Sequence, residues 1–226
     1  MPDPAVFQQS PLFAHLSAGP LARLAALAQA RRYAKDQVIF SEGDPGSALY
    51  TIVKGRIKIA RSSLDGKERT IALLGRGDFF GELALLDGDP RSADAIAVEA
   101  SEVLIVPREA FRGFLLEHPQ VAMDLLVVLS RRLRRTSQIV HDAAFFDVRG
   151  RLARLLLELA QAEGQGASAD SLVCPLLTQA ELANMVGVTR ESINKWLRVF
   201  VQQGAIARRR GRLVVTDPES LERELA

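Results

Sequence analysis

The chain of 226 residues holds one cysteine, Cys174, and three histidines, His15, His118 and His141. A single thiol excludes an internal disulfide framework and any cysteine-ligated cluster or Cys-rich zinc site within one chain. The histidines are scattered, with no paired carboxylates or nucleophile constellation around them, so no catalytic or metal site is expected and the chain reads as a non-enzyme. No apolar run approaches the roughly 18 residues that a membrane helix needs. Met1-Pro2-Asp3-Pro4 lacks the charged and apolar segments of a secretory signal, which points to a cytoplasmic protein with no membrane partner. Net charge is small too, at +2, so the overall balance does not announce a polyanionic partner.

What the chain does have is a globular composition, 48% hydrophobic and 25% charged, and an uneven distribution of charge. Acids and bases balance as far as residue 147. Across residues 148–216 bases outnumber acids two to one, with Arg208, Arg209, Arg210 and Arg212 packed together. That asymmetry suggests an anionic partner for the C-terminal part, although charge alone slightly favours a solvated basic loop.

From Val38 to Val106 the sequence reads as strands. Leu49 to Val53, Arg56 to Ala60 and Ser101 to Val106 alternate, and Gly43, Gly55, Gly66, Gly77 and Gly88 punctuate the stretch every 11 or 12 residues. Asp65-Gly66 is a strong hairpin signal, because a type I′ turn needs positive φ at both central residues. Even spacing of short strands predicts a compact barrel, sandwich or roll. Before it, Pro20 to Ala30 is Leu/Ala-rich and is expected to be helical.

From Pro119 to Ala144 neither proline nor glycine interrupts a long helix. Leu126, Leu129, Leu133, Thr136, Val140 and Ala143 recur at alternating spacings of three and four, a heptad seam along which two chains can zip together. A helix packed within its own domain is the alternative, but Arg131, Arg132, Arg134 and Arg135 flank the seam closely. The Thr136 and Ser137 hydroxyls could bond to the preceding turn or face a ligand at the dimer axis. Asp147 can cap a further helix over Val148 to Ala162, with Phe145-Phe146 as a hinge candidate. Gly164 to Ser171 is a small-residue loop with no readable chemistry.

The most specific stretch runs from Thr178 to Leu197. Thr178 and Glu181 form a capping box, Leu182, Ala183 and Val186 an apolar face, and Gly187 falls where a tight interhelical turn needs a left-handed residue. Thr189 caps a second helix that turns Ile193, Trp196 and Leu197 inward and leaves Arg190, Glu191, Asn194 and Lys195 outward at its N-terminal end. Arginine or lysine can donate to guanine O6 and N7, and glutamate can accept from cytosine N4. Thr178 and Thr189 can hold phosphates without reading sequence. The pattern predicts a helix-turn-helix on double-stranded DNA. Ala205 to Ala207 and Leu213 to Val215 read as a two-stranded wing, its Arg208–Arg212 tip, including Arg209, over backbone phosphates.

Between two strands of the first region lies Phe80-Gly81-Glu82-Leu83-Ala84-Leu85-Leu86-Asp87-Gly88-Asp89-Pro90-Arg91-Ser92-Ala93. Gly81 opens a short helix whose N–H groups favour an anion, Arg91 offers a bidentate fork for a phosphate, Ser92 adds a donor, and Glu82 can accept from a sugar hydroxyl. An Arg91–Glu82 ion pair closing the loop is the alternative. This segment closely resembles the phosphate-binding cassette of cyclic-nucleotide-binding domains. From Leu12 to Thr216 the chain resembles the CRP/FNR regulators, through the glycine-marked strands, the cassette, Arg132-Leu133 with Thr136-Ser137, Ala144 to Val148 and Arg190-Glu191. Cassette plus Thr136-Ser137 is similar to the cyclic AMP binders within that family.

The resemblance implies an α+β fold: an N-terminal, jelly-roll-like cyclic-nucleotide-binding β-roll over 1–118, a dimerisation helix and hinge over 119–147, and a C-terminal winged helix-turn-helix over 148–226. It implies a homodimeric transcription regulator with cyclic AMP as allosteric ligand and RNA polymerase as a further partner. Gly81 and Glu82 would then bind the ribose, with Leu83 beside them in the ligand site, and Arg91 and Ser92 the cyclic phosphate. Arg132 would approach the ligand; Thr136 would meet the adenine from its own chain, and Ser137 from the partner. Arg190, Glu191 and Lys195 would read TGTGA-like half-sites in a palindrome. Lys195 departs from the family's usual arginine and loses its planar fork. The cassette is one residue shorter than the enterobacterial version, and residues 164–171 match no polymerase-contacting loop. A regulator of the same fold that is ligand-independent, or senses another small molecule or a redox signal, stays open.

Overall fold

The computed structural model describes residues 4–63, 66, 68–163, 172–209 and 211–225, in two compact units, Met1–Arg134 and Arg135–Ala226. The first unit contains helices α1 (Ala5–Gln8) and α2 (Ala18–Leu27), strands β1 (Gln29–Tyr33), β2 (Val38–Phe40), β3 (Ala48–Lys54), β4 (Ile57–Ser62), β5 (Glu68–Leu74) and β6 (Phe79–Phe80), helix α3 (Glu82–Asp87), strands β7 (Asp94–Ala97) and β8 (Ser101–Pro107), helix α4 (Arg108–Glu117) and the first part of α5 (Pro119–Phe145). Its strands form two four-stranded antiparallel sheets, ordered β1-β8-β3-β6 and β2-β7-β4-β5.

Period-two alternation on β3 and β8 explains how one sheet serves two cores. Ile52 and Val103 point one way, to pack with Ile57, Phe80, Ala95 and Ala97. Leu49, Leu104 and Val106 point the other way, into a second cluster with Phe13 of the α1–α2 connection and Leu24, Phe111, Val121 and Leu125 from the helices. Gly55 makes the β3–β4 turn at φ +90°, where an added Cβ would collide with the Ser101 side chain. Asp65 lies outside the described residues; Gly66 has the positive φ its turn signal requires, and the flanking pair Ser62↔Glu68 is in antiparallel register.

One expectation needs correction. The segment expected to be helical as far as Ala30 leaves the helix at Leu27 and enters strand β1, which pairs Gln29–Tyr33 with Ile105–Ser101. Gln-Ala-Arg-Arg-Tyr shows no apolar alternation, because only Tyr33 is buried and the strand is an exposed sheet edge held by its backbone ladder.

The second unit contains the rest of α5, α6 (Val148–Glu163), β9 (Leu172–Val173), α7 (Gln179–Val186), α8 (Arg190–Gln202), the hairpin β10 (Ile206–Arg209) and β11 (Arg212–Val215), α9 (Pro218–Glu222) and a 3₁₀ turn at Arg223–Leu225. The expected two-stranded wing carries a third strand, since β9 pairs with β11 through Val173↔Val214 and Leu172↔Val215. Its two-residue length hides it from any periodicity argument. The loop expected over 164–171 lies outside the described residues.

Helices α5 and α6 are separated by Phe146-Asp147, and Asp147 caps α6 by accepting from the Gly150 N–H at 2.9 Å. A polar brace spans the break: buried Asp142 accepts from Gln138 Nε2 at 2.6 Å and lies 3.7 Å from Arg154 Nε, while the Arg154 guanidinium stands 5.4 Å from the centre of the Phe146 ring. Burial raises the pKa of Glu158, on the same face of α6; Arg135 and Arg154 oppose the rise and Asp142 adds to it. Among the described residues no single helix is long and apolar enough to cross a membrane.

Candidate ligand cleft and nucleic-acid interface

In the first unit a cleft of about 400 Å³, including its open mouth, is lined by Gly81, Glu82, Leu83, Arg91, Ser92 and Arg132 together with Phe40, Ile59 and Phe80. Six residues singled out in the sequence thus meet at one place. Gly81 ends β6 with φ +81° and starts α3; a Cβ there would stand 2.6 Å from Arg91 Nη1, so both conformation and space demand glycine.

Arg91 is only 4% exposed. Its Nη1 donates to the Gly81 carbonyl at 2.7 Å and its Nη2 to the Ala48 carbonyl at 3.0 Å, and the guanidinium lies 4.2 Å from the centre of the Phe40 ring. Backbone bonds Arg91 N–H to Asp44 O and Gly43 N–H to Arg91 O, both 2.8 Å, fix the loop that delivers it. The Arg91 Nε is buried and meets no acceptor. Burial also pulls the Arg91 pKa below the ordinary arginine value, opposed by Tyr50, Glu82 and Asp44. A desolvated cation with an orphaned donor fits an anionic group, so the residues present suit a phosphate.

Glu82 is 5% exposed, and its partner is Arg132 rather than Arg91: Arg132 Nη1 donates to Glu82 Oε1 at 2.7 Å, and Nη2 to the Phe79 carbonyl at 2.6 Å. The sequence alternative of an Arg91–Glu82 pair closing the loop is therefore not what forms. Ser92 and Leu83 are exposed at the mouth. Thr136 and Ser137 belong to the second unit, exposed on α5 one turn beyond Arg132. Sequence reasoning missed the aromatic and aliphatic lining from Phe40 and Ile59, because β2 and β4 reach the cleft only through sheet pairing.

In the second unit the local signals act as expected. Thr178 Oγ1 accepts from the Glu181 N–H at 3.2 Å while Glu181 Oε2 accepts from the Thr178 N–H at 2.6 Å, a complete capping box. Gly187 closes α7 at φ +77°, and Thr189 caps α8 by accepting from the Ser192 N–H. Ile193, Leu197 and Phe200 bury one face of α8 against Leu182, Ala183 and Val186 of α7 and Leu152 and Leu156 of α6. Arg190, Glu191 and Lys195 are exposed, Asn194 half-buried, and Trp196 half-buried rather than fully inward. A hydrogen bond from its own backbone N–H, and then one from Thr189, hold the Glu191 carboxyl below the usual carboxylate range, so it remains an acceptor.

Arg209 is exposed on β10, and Arg210 lies outside the described residues. A groove beside α8 brings Asn194 together with Gln179, Arg198 and Arg208. Arg198 went unremarked, although it stands four residues after Asn194 on the same helical face, a signal the sequence did contain.

Residues 30–118 match the family model of the cyclic nucleotide-binding domain, and residues 150–224 that of the Crp-like helix-turn-helix domain. The chain is 35% identical over 218 residues to a CRP-like cAMP-activated global transcriptional regulator of Mycobacterium tuberculosis, covering 96% of this chain and 97% of that one. It is 36% identical over 215 residues to the cyclic AMP receptor protein of Thermus thermophilus, covering 94% and 95%. Among solved structures, the c-di-GMP responsive global regulator CLP of Xanthomonas campestris matches with a TM-score of 0.76 and 26% identity, over 88% of this chain and 99% of that one. The chain belongs to the CRP/FNR family of DNA-binding transcription regulators, with an N-terminal cyclic-nucleotide-binding β-sandwich, a long helix and a C-terminal helix-turn-helix. That family consists of transcription regulators, not enzymes.

Proposed function

We propose that this regulator is a cytoplasmic homodimer that responds to cyclic AMP and binds a palindrome of TGTGA-like half-sites. The observation that carries the nucleotide reading is the buried Arg91 guanidinium, with its Nε unpaired, beside the buried Glu82 carboxylate. In this reading Arg91 and Ser92 hold the cyclic phosphate, Gly81 and Glu82 the ribose with Leu83 beside them, and Arg132 holds the Glu82 carboxylate in place. Thr136 meets the adenine from its own chain and Ser137 from the partner. Names of the Mycobacterium and Thermus relatives favour cyclic AMP, whereas that of the Xanthomonas regulator makes a cyclic dinucleotide the rival.

Dimerisation is supported by α5 itself. Over its 27 residues Leu126, Leu133 and Val140 repeat every seven positions and are 55%, 68% and 64% exposed. Such a stripe on a helix about 40 Å long suits a coiled-coil partner. We assign 1–118 to ligand binding, 119–147 to dimerisation and the hinge, and 148–226 to DNA, with RNA polymerase as the downstream partner. Thr178, Thr189 and Arg209 contact phosphates, and Arg190, Glu191, Asn194 and Lys195 face the bases.

The ligand works by shifting a population. Arg132, which holds Glu82, and Thr136 of the seam are one turn apart on α5, so occupancy of the cleft favours one registry of the paired helices and thereby one spacing of the two α8 helices. Tenfold preference for the DNA-competent state corresponds to about 1.4 kcal/mol. Calorimetry with cyclic AMP, cyclic GMP and c-di-GMP tests the ligand. The reading expects heat with cyclic AMP that Arg91→Ala abolishes; no heat, or binding unchanged in Arg91→Ala, contradicts it.

A further inference from the structure

Lys195 and Trp196 are consecutive on α8, about 100° apart around the helix. The Lys195 ammonium nevertheless lies 4.9 Å from the centre of the Trp196 ring. The Arg149 guanidinium of α6 stands 5.5 Å from the same ring, and Arg149 is ion-paired to Glu224 in the 3₁₀ turn. The indole is thus fixed by α6 and the C-terminal turn, and Lys195 bends along the helix surface toward it. Standing out from the exposed face beside Arg190 and Glu191 would require Lys195 to leave the ring.

We propose that Trp196 is a specificity-setting residue: its indole, braced by Arg149 and Glu224, parks the Lys195 ammonium away from the base-reading face of α8. The inference rests on the reading of Lys195 as a base contact. Cation–π attraction at an exposed site amounts to a factor of about two to five, so each base contact by Lys195 is weakened by about that much. Lysine tolerates such parking because its single charge sits on a four-carbon stem with rotatable donors. The fit at the base pair that Lys195 meets is therefore lax for two reasons, the lost fork and the competing ring.

The test uses the full chain with cyclic AMP in excess and a labelled palindrome of TGTGA half-sites, matched or substituted at one base pair at a time. Trp196→Leu should raise discrimination at the base pair that Lys195 meets about two- to fivefold, with Trp196→Phe in between. Adding Lys195→Met to Trp196→Leu should abolish the gain. Trp196 is the only tryptophan in the chain, so its emission reports directly on the ring. Matched DNA should change that emission in the wild-type protein, and the change should vanish in Lys195→Met. Discrimination that stays flat or falls in both Trp196 variants, or an emission change retained in Lys195→Met, overturns the proposal. Arg190→Ala serves as the control. If it loses discrimination while the Trp196 variants gain none, the proposal alone fails; if it too loses none, the base-reading assignment fails and takes the proposal with it.

Discussion

In the proposed function the cleft and helix α8 both present arginine to an anion, but they would do so in opposite ways. Arg91 is buried, bonded to two backbone carbonyls and laid on an aromatic ring before any ligand enters. Arg190 stands exposed at the start of α8, one residue from a capping threonine. On that reading burial should make binding at the first site nearly insensitive to salt, because its charge has already lost its water. Exposure makes the second adaptable, and subject to the counterion release that governs binding to a polyanion. The proposed input and output sites thus differ less in residue type than in dielectric surroundings.

The comparison breaks first at Arg91. Arg91→Ala removes the buried cation and the unpaired Nε donor proposed to meet the cyclic phosphate, and should weaken cyclic AMP binding by about 100-fold or more, measured by calorimetry. It also leaves the Gly81 and Ala48 carbonyls without that donor, so a lower thermal midpoint should accompany the loss. Next in size is Arg190→Ala, which should cost about 1–3 kcal/mol of discrimination at one base pair in competition binding, with little change on mismatched DNA.

Smaller still, Arg209→Ala should weaken binding to all sequences alike and reduce the slope of log affinity against log salt by about 1. The same salt series on cyclic AMP binding should be nearly flat. A steep series there would mean that Arg91 is more hydrated than its burial implies.

The least effect is expected at Glu158, which belongs to neither site. Its folded-state pKa is raised chiefly by burial, so the folded protein binds that proton more tightly than the unfolded chain does. Its stabilising contribution is therefore full below the usual glutamate range and lost as pH rises through the raised value. Glu158→Gln should add less than about 1 kcal/mol at neutral pH and flatten that stretch of the stability–pH curve in urea titrations.

Much of this was legible in the chain because the signals are local. Thr178 with Glu181, Gly187 and Thr189 specify their caps within four residues, and each forms as the spacing requires. Gly81 announces its own backbone conformation. Other features depend on residues far apart in sequence. Arg132 reaches Glu82 across 50 positions, and Phe40 reaches Arg91 only because β2 pairs with β7. Nothing in Gln29–Tyr33 betrays a strand, since an edge ladder needs backbone alone. Arg149 and Glu224, 75 residues apart, meet only once α6 and the C-terminal turn are packed.

In the proposed switch, occupancy of the cleft around Arg91 controls the reading face around Arg190. One titration tests it most directly: labelled palindromic TGTGA-type DNA against wild type and Arg91→Ala, at one stated salt concentration, with and without cyclic AMP. Cyclic AMP should tighten wild-type binding by about tenfold or more and leave Arg91→Ala unchanged. Equal affinity with and without the nucleotide in the wild-type protein would contradict it.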